Sequence, residues 1–274
     1  MKMINGVAGE ALALADRAFQ FGDGVFRTLR CDAGGIRFWA RQYAKLAADC
    51  AALGIAAPPR EVLEADIRQL APQDGAIKLI VTRGESQRGY AVPDACTPNR
   101  VVQVSALPPV WPAEGARVRW CDIRAGWQPA LAGVKHLNRL ENVLARREWS
   151  DPAIQEGLLL DRDGHVLEGV MSNVLALSGR VLFTPRLDDA GVAGVMRSVV
   201  ADVAARNGIA IREKVLTPAA VMAADRLYLC NSLIGLVPVR ELSGQHWGVH
   251  ALDSVLQAGL AVMTEEETWY SSEP

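Results

Sequence analysis

GLLLDRDGHVLEGVMSNVLALSGRVLFTP, residues 157–185, sets four short apolar runs close together and separates them with turn-forming pairs. Asp163-Gly164 and Ser178-Gly179 supply the positive φ that tight connections need. Each run is too short for a helix, so GLLLD, HVLEG, NVLALS and RVLFTP predict consecutive short strands, read as a meander. Upstream, RVRWCDI (117–123) alternates like a strand. KHLNRLENVLARREWS (135–150) places Leu137, Leu140 and Leu144 at helical spacing, which sets Lys135 at a loop-to-helix entry. Downstream, VAGVMRSVVADVAARNG (192–208) predicts a helix stopped by Asn207-Gly208. Strands follow around 209–215, 226–230 and 235–239, then a last helix over about 252–263. The acidic tail TEEETWYSSEP (264–274) reads as a solvated end.

The strongest punctuation in the chain is SALPPVWPAEGAR, residues 105–117, where Pro108, Pro109, Pro112 and Gly115 interrupt regular structure. It predicts an interdomain connector over 108–116, a small α+β domain over 1–107 and a larger domain over 117–274. In the first domain INGV (4–7) and GIRFW (35–39) read as strands, 40–53 as an amphipathic helix and 59–70 as a second helix. AIKLIVTR (76–83) and RVVQVSAL (100–107) are further strands.

Composition narrows the function. The 274 residues are half apolar and carry a formal net charge of −2, which argues against an electrostatic nucleic-acid binder. The N-terminal apolar stretch is interrupted by Glu10 and Asp16 and is too short for a signal or a spanning helix, so a cytoplasmic protein without membrane partners is expected. Five scattered cysteines form no CxxC pair and suggest neither a disulfide framework nor a zinc site. The four histidines lack metal-ligand spacing, and no GxSxG elbow, GxGxxG or Walker A loop is present.

Lysine usage is more telling. Only Lys2, Lys45, Lys78, Lys135 and Lys214 are lysines, among 29 cationic side chains. An amine with a lowered pKa attacks carbonyls and shuttles protons, which a guanidinium cannot do. Lys135 follows the glycine-containing LAGV, and Glu168 stands at a strand end where a carboxylate can pair with a pyridinium nitrogen. Taken alone, the spacing fits a solvated lysine and a surface acid better than a site.

The motifs ADRAFQFGDGVFRTLR (15–30), AGVKHLNRLENVLARRE (132–148), GLLLDRDGHVLEGVMSNVLAL (157–177), TPRLDDAGVAGVMR (184–197) and LCNSLIGLVPV (229–239) resemble those of the class IV, fold-type IV pyridoxal-phosphate enzymes, in family order. That family holds branched-chain and D-amino-acid aminotransferases and aminodeoxychorismate lyases. KHLNRLE and RGESQRGY (83–90) are more similar to the lyase branch. The resemblance implies an α/β, two-domain fold: a small α+β N-terminal domain, and a larger C-terminal domain with a strongly curved, barrel-like sheet. Pyridoxal 5'-phosphate is expected in the cleft between them, in a homodimer.

Carried onto this chain, the resemblance makes Lys135 the Schiff-base lysine and Glu168 the ring-nitrogen partner. The amides of Val195 and Met196 at a helix start, with Ser232, would hold the phosphate. Lys45 stands where relatives carry an arginine, keeping charge but losing the bidentate fork. Arg88 and Tyr90 match a loop that reaches substrate carboxylate, often across the dimer. Phe26 and Tyr90 replace a tyrosine and a histidine found in the D-amino-acid aminotransferases, which favours the lyase branch. Thr28 fits as a hydroxyl near the reacting carbon or, equally, as an alternating strand residue; Arg124 is a further substrate contact or an ordinary strand-end arginine. The expected reaction is elimination from 4-amino-4-deoxychorismate to 4-aminobenzoate and pyruvate, with the synthase that makes this substrate as a possible partner. Transamination on the same fold is the alternative, and a non-catalytic binding protein the reading of another class.

Overall fold

Helix spacing and strand alternation build two compact units in the computed structural model, which describes residues 1–271 other than Arg88. The first unit comprises residues 1–108 together with 134–138 and the chain from Glu267; the second comprises 109–133 and 139–266. The segments 134–138 and 267 onward, placed by sequence on the far side of the 108–116 connector, therefore join the first unit.

The first unit is built on β1 (Lys2–Ile4), β2 (Val7–Ala8), α1 (Arg17–Phe21), β3 (Gly24–Asp32), β4 (Gly35–Arg37), α2 (Trp39–Ala52), α3 (Arg60–Leu70), β5 (Gly75–Thr82) and β6 (Asn99–Ser105). The β3 pattern shows its logic. Val25, Arg27, Leu29 and Cys31 are buried while Phe26, Thr28 and Arg30 on the opposite face are half-exposed. The buried face meets Leu46 and Cys50 of α2 and Leu63 and Ile67 of α3 in one apolar core. The sheet runs from the strand Thr268–Tyr270 through β4, β3, β5, β6 and β1 to β2.

Three expectations are corrected here. INGV is not one strand: Asn5 and Gly6 take positive φ, and β1 turns back on β2. GIRFW ends as a strand at Arg37, because Phe38 adopts a left-handed conformation and Trp39 begins α2. As far as Ser271 the tail is not a solvated end, and the rest of it lies outside the described residues. Trp269 pairs with Ile36, its ring lies 5.7 Å from that of Trp39, and Arg41 grips Glu267 at 2.6 and 2.7 Å. Apolar pairing with a strand more than two hundred residues away outweighs the acidic run that precedes it.

The second unit contains β7 (Ala116–Arg124), a 3₁₀ turn (Pro129–Leu131), α4 (Leu140–Arg146), β8 (Glu156–Leu160), β9 (Val166–Gly169), β10 (Asn173–Ser178), β11 (Val181–Pro185), α5 (Val195–Arg206), β12 (Ala210–Lys214), α6 (Pro218–Met222), β13 (Arg226–Asn231), β14 (Gly235–Leu242), β15 (Gln245–His246) and α7 (Ala251–Glu266). Its sheet order is β12-β11-β10-β13-β14-β7-β8-β9, with β15 on β14. The predicted meander is two hairpins at opposite ends of this sheet: β8 pairs β9 and β10 pairs β11, but β10 takes β13 as its second neighbour. β9 then comes back against β10 and β11, and Val166 bridges Leu216, so the sheet curls on itself as the resemblance implied. Four of the five cysteines are buried, their thiols pushed up to about 11 for Cys31 and about 12 for Cys50, Cys121 and Cys230, first of all by burial. No helix among the described residues is long and apolar enough to cross a membrane.

Candidate active site

Lys135 is not at a helix entry. The segment 134–138 is extended beside the start of β3: the Phe26 N–H donates to the Lys135 carbonyl at 3.0 Å, Leu137 N–H to the Gly24 carbonyl at 2.9 Å, and Val25 bridges His136. α4 starts only at Leu140. Backbone pairing with β3 satisfies donors that a first helical turn would leave open, and Asn138 fixes the crossing by donating to the Gly22 carbonyl at 3.1 Å. Gly22 is required there, with φ +67° and no room for a Cβ beside Asn138.

The strand places the Lys135 ammonium 4.6 Å from the centre of the Phe26 ring. On the same ring, Lys78 of β5 lies at 5.1 Å, and Lys78 is paired in register with Thr28. Phe26 and Thr28 thus line one sheet face with two amines, an arrangement that favours anionic ligands. Lys78 was not singled out from sequence, since only the β3–β5 register makes it a neighbour of Thr28.

Asp49 is a second residue that sequence reasoning missed. It projects from α2, 1% exposed, and its carboxylate accepts from Arg27 Nη2, from Lys45 Nζ and, at 3.3 Å, from the Lys135 backbone N–H. One buried carboxylate thereby ties the lysine-bearing segment to the helix and carries the charge of two cations. Burial lowers the Lys45 pKa, and the Asp49 hydrogen bond and charge oppose that shift. The predicted phosphate-binding amine is therefore already engaged by an acid on its own helix.

Within the second unit, Glu168 near the end of β9 is 4% exposed and accepts from the Val192 N–H at 2.8 Å. Asn173 at the start of β10 donates to the Val192 carbonyl at 2.8 Å and accepts from the Gly194 N–H at 3.2 Å. The loop 192–194 is thus held between Glu168 and Asn173 and leads directly into α5. A Cβ at Gly194 would lie 2.2 Å from Asn173 Oδ1, so only glycine permits this approach. Val195 and Met196 open α5 without any capping side-chain hydrogen bond. Backbone donors at an uncapped helix start form an anion cradle. A buried carboxylate beside such a cradle matches the two ends of pyridoxal phosphate, a protonatable ring nitrogen and a phosphate, so the residues present fit that group.

The remaining candidates are placed as follows. Ser232 lies half-buried in the turn after β13, where Asn231 Oδ1 accepts from Leu233 and Ile234 at 2.8 and 2.9 Å; Asn231 is the residue that caps the strand end. Arg124 is exposed at the end of β7, opposite Leu160. Tyr90 is 85% exposed, its ring 5.2 Å from Phe21, on a loop whose carbonyls at Gly89, Tyr90 and Ala91 accept from the buried Arg17. Arg88 lies outside the described residues.

Comparison with known proteins identifies the family. The family described as amino-transferase class IV matches residues 24–242. An aminodeoxychorismate lyase of Vibrio harveyi is 33% identical over 248 residues, 89% of this chain and 92% of that one. The crystal structure of 4-amino-4-deoxychorismate lyase from Pseudomonas aeruginosa superposes with a TM-score of 0.90 at 40% identity, covering 96% of this chain and 98% of that one. A hypothetical aminotransferase from Mycobacterium tuberculosis in its PLP-bound form shares the fold, with a TM-score of 0.82 at 20% identity over 97% of this chain and 99% of that one. A family match over residues 24–242, which span Lys135, Glu168 and the start of α5, makes this chain a member of the class IV aminotransferase family.

Proposed function

We propose that this chain is a pyridoxal-phosphate-dependent lyase that converts 4-amino-4-deoxychorismate to 4-aminobenzoate and pyruvate. The observation that carries the reading is the placement of one half-exposed lysine on the strand face of Phe26 and Thr28, in a chain whose similarity to the Pseudomonas lyase reaches 40%. When bound, pyridoxal phosphate supplies an electrophilic carbon for an amine and a ring that takes up electron density.

The chain's own residues supply the rest. Lys135 Nζ would hold the cofactor, and as a free amine it would take the proton from the substrate carbon that bears nitrogen. Glu168 keeps the ring nitrogen protonated, since a buried carboxylate favours a cation beside it. The amides of Val195 and Met196, with Ser232, bind the phosphate, and Lys45 adds charge through the Asp49 cluster. Lys78 and Lys135 make the face of Phe26 and Thr28 attractive to substrate carboxylates, and the Thr28 hydroxyl stands on that face to pass a proton toward the leaving group. Tyr90, Arg124 and Arg88 are assigned to substrate recognition. The aromatic product provides the driving force, so orientation and proton transfer are what the protein adds.

The family likeness supports action as a homodimer, with the loop that carries Tyr90 near the partner's site; the cytoplasm is the proposed location, and the synthase that supplies the substrate a proposed partner. The test is product analysis: holoenzyme mixed with 4-amino-4-deoxychorismate releases 4-aminobenzoate and pyruvate in equal amounts, and Lys135→Ala releases neither and forms no borohydride-reducible cofactor adduct. Conversion of the cofactor to its amine form by D-amino or branched-chain donors, without those products, would replace the lyase reading by transamination.

A further inference from the structure

The turn that joins Glu168 to Asn173 is anchored by a carboxyl that takes no part in the chemistry just described. Glu156 at the start of β8 is fully buried, and among the described residues no cation pairs with it. Its Oε2 accepts from the Met171 N–H at 3.1 Å and from the Ser172 hydroxyl at 2.9 Å, and its Oε1 from the Gly157 N–H at 3.0 Å. A buried acid without a cation is costly, so it needs another reason to be where it is.

Its partners suggest the reason. Gly169 N–H closes on the Ser172 carbonyl at 2.7 Å, making 169–172 a tight turn directly after Glu168. Asn142 of α4 and Asn231 of β13 donate to its Val170 and Met171 carbonyls at 2.9 and 3.0 Å, the Val170 N–H donates to the Gly157 carbonyl at 2.9 Å, and the Glu156 carboxylate takes the Met171 N–H and the Ser172 hydroxyl. A Cβ at Gly169 would lie 2.3 Å from Ser172 Oγ and 3.0 Å from Glu156 Oε2, so the carboxyl is packed into the turn. On one side of this turn stands Glu168. On the other stands Asn173, which holds the Val192 carbonyl and Gly194 N–H while Val192 donates to Glu168. The ring-nitrogen acid and the entry to α5 thus hang on one hydrogen-bonded circuit.

We propose that Glu156 is a positioning residue: by holding Met171 and Ser172 it fixes Glu168 against the cofactor ring and Asn173 against the phosphate-binding loop. The inference rests on the reading of Glu168 as ring-nitrogen partner. Burial pushes the Glu156 carboxyl up to about 7, against the lowering effect of its hydrogen bonds, and the charge of Glu168 on β9 adds to the rise. From β7 the facing group is the Cys121 thiol, neutral because burial holds its pKa near 12; Asn142 and Asn231 bring no charge. Glu156 is thus neutral in mild acid and charged in mild base, and its grip on the turn changes across that range.

The experiment follows the visible absorption of the bound cofactor from pH 5 to 9, and the rate of cofactor loss on dilution, in holoenzyme carrying Glu156→Gln or Glu156→Ala. The wild-type profile contains a step near pH 7. Glutamine, which can still accept from Met171 and Ser172 but does not titrate, retains the cofactor and lacks the step. Alanine loses the cofactor faster, on the order of tenfold, as expected for lost hydrogen bonds to a buried carboxylate. Profiles and loss rates that superpose on wild type overturn the proposal. A lower melting temperature of the apoprotein with an unmoved profile also overturns it, by assigning Glu156 to folding alone. Should Glu156→Ala fail to fold, the Glu156→Gln profile decides. Glu168→Gln separates the two levels. If that variant keeps the wild-type spectrum and turnover, the reading of Glu168 is what fails; if it is impaired while both Glu156 variants match wild type, only the present inference falls.

Discussion

Replacing Asp49 by alanine tests how the first unit holds the segment that carries Lys135. Asp49 and its partner Arg27 have side chains only 1% and 3% exposed, so the guanidinium left behind is buried without its acid. Breaking such a pair from one side costs about 3–5 kcal/mol. Lys45, 22% exposed, turns to water and adds no more than about 1 kcal/mol. The Lys135 N–H bond at 3.3 Å is long and adds about 0.5 kcal/mol. The sum, about 5 kcal/mol, corresponds to a fall in melting temperature of about 10 °C or more for a chain of this length. Thermal and urea unfolding of the apoprotein read it. The double variant Arg27→Met with Asp49→Leu removes both charges and fills their volume, so it should recover to within about 2 kcal/mol of wild type. A loss below about 1 kcal/mol in Asp49→Ala, or a double variant no more stable than the single one, refutes the account of Asp49 as the anchor of a buried cation.

Three further expectations can be checked alongside it. The Glu156 pKa is raised on folding from 4.5 to about 7, so its stabilising contribution is complete below about pH 4.5 and is lost as pH rises through 7; apo Glu156→Gln should not share this loss, of about 3 kcal/mol, and parallel stability curves for the two proteins between pH 5 and 8 would contradict the shift. Gly194→Ala should leave the far-ultraviolet dichroism intact but weaken cofactor binding by about tenfold or more, because the new methyl displaces Asn173; unchanged binding in a fluorescence titration would count against the α5 entry as the phosphate site. Trp269→Ala should destabilise the protein by about 2 kcal/mol through loss of its contacts with Trp39 and Arg68, and an unaltered urea midpoint would show the last strand to be dispensable.

Much of the candidate site was legible because it lies in short segments with their own signatures. Lys135 stood out among few lysines and Glu168 at a strand end, but their spacing alone fitted a solvated lysine and a surface acid better; the roles of Lys135, Glu168 and Val195 came from the family resemblance of the motifs that hold them. The residues that connect them were hidden. Asp49 reads as one acid on a helix surface until the fold brings Arg27 and Lys135 to it. Asn173 and Glu156 lie in apolar strands whose partners are fixed by tertiary pairing. The same cause explains the misplaced elements. Periodicity over 135–150 is real, but backbone pairing with β3 claims Lys135 and His136 before the helix can. Trp269 and Tyr270 sit behind three glutamates, and charge patterning alone gave no sign that Ile36 and Trp39 were waiting for them. The meander failed because strand runs announce their existence, while the order in which they pair is set by closing the curl.

The strand Thr268–Tyr270 has a consequence for biosynthesis. The sheet of the first unit gains its outer strand, and the segment carrying Lys135, only from residues made long after its core helices. A ribosome that has finished residue 108 has therefore released β4 as an open edge, with Ile36 and Trp39 lacking the side chains that will cover them. Pairings of such sequence separation form slowly and leave edges available to other chains in the meantime. Nascent chains halted before residue 267 should bind chaperones or self-associate through β4. The Lys135 segment depends on nothing so late, because its pairing with β3 and its hydrogen bond to Asp49 need only residues made before Arg139.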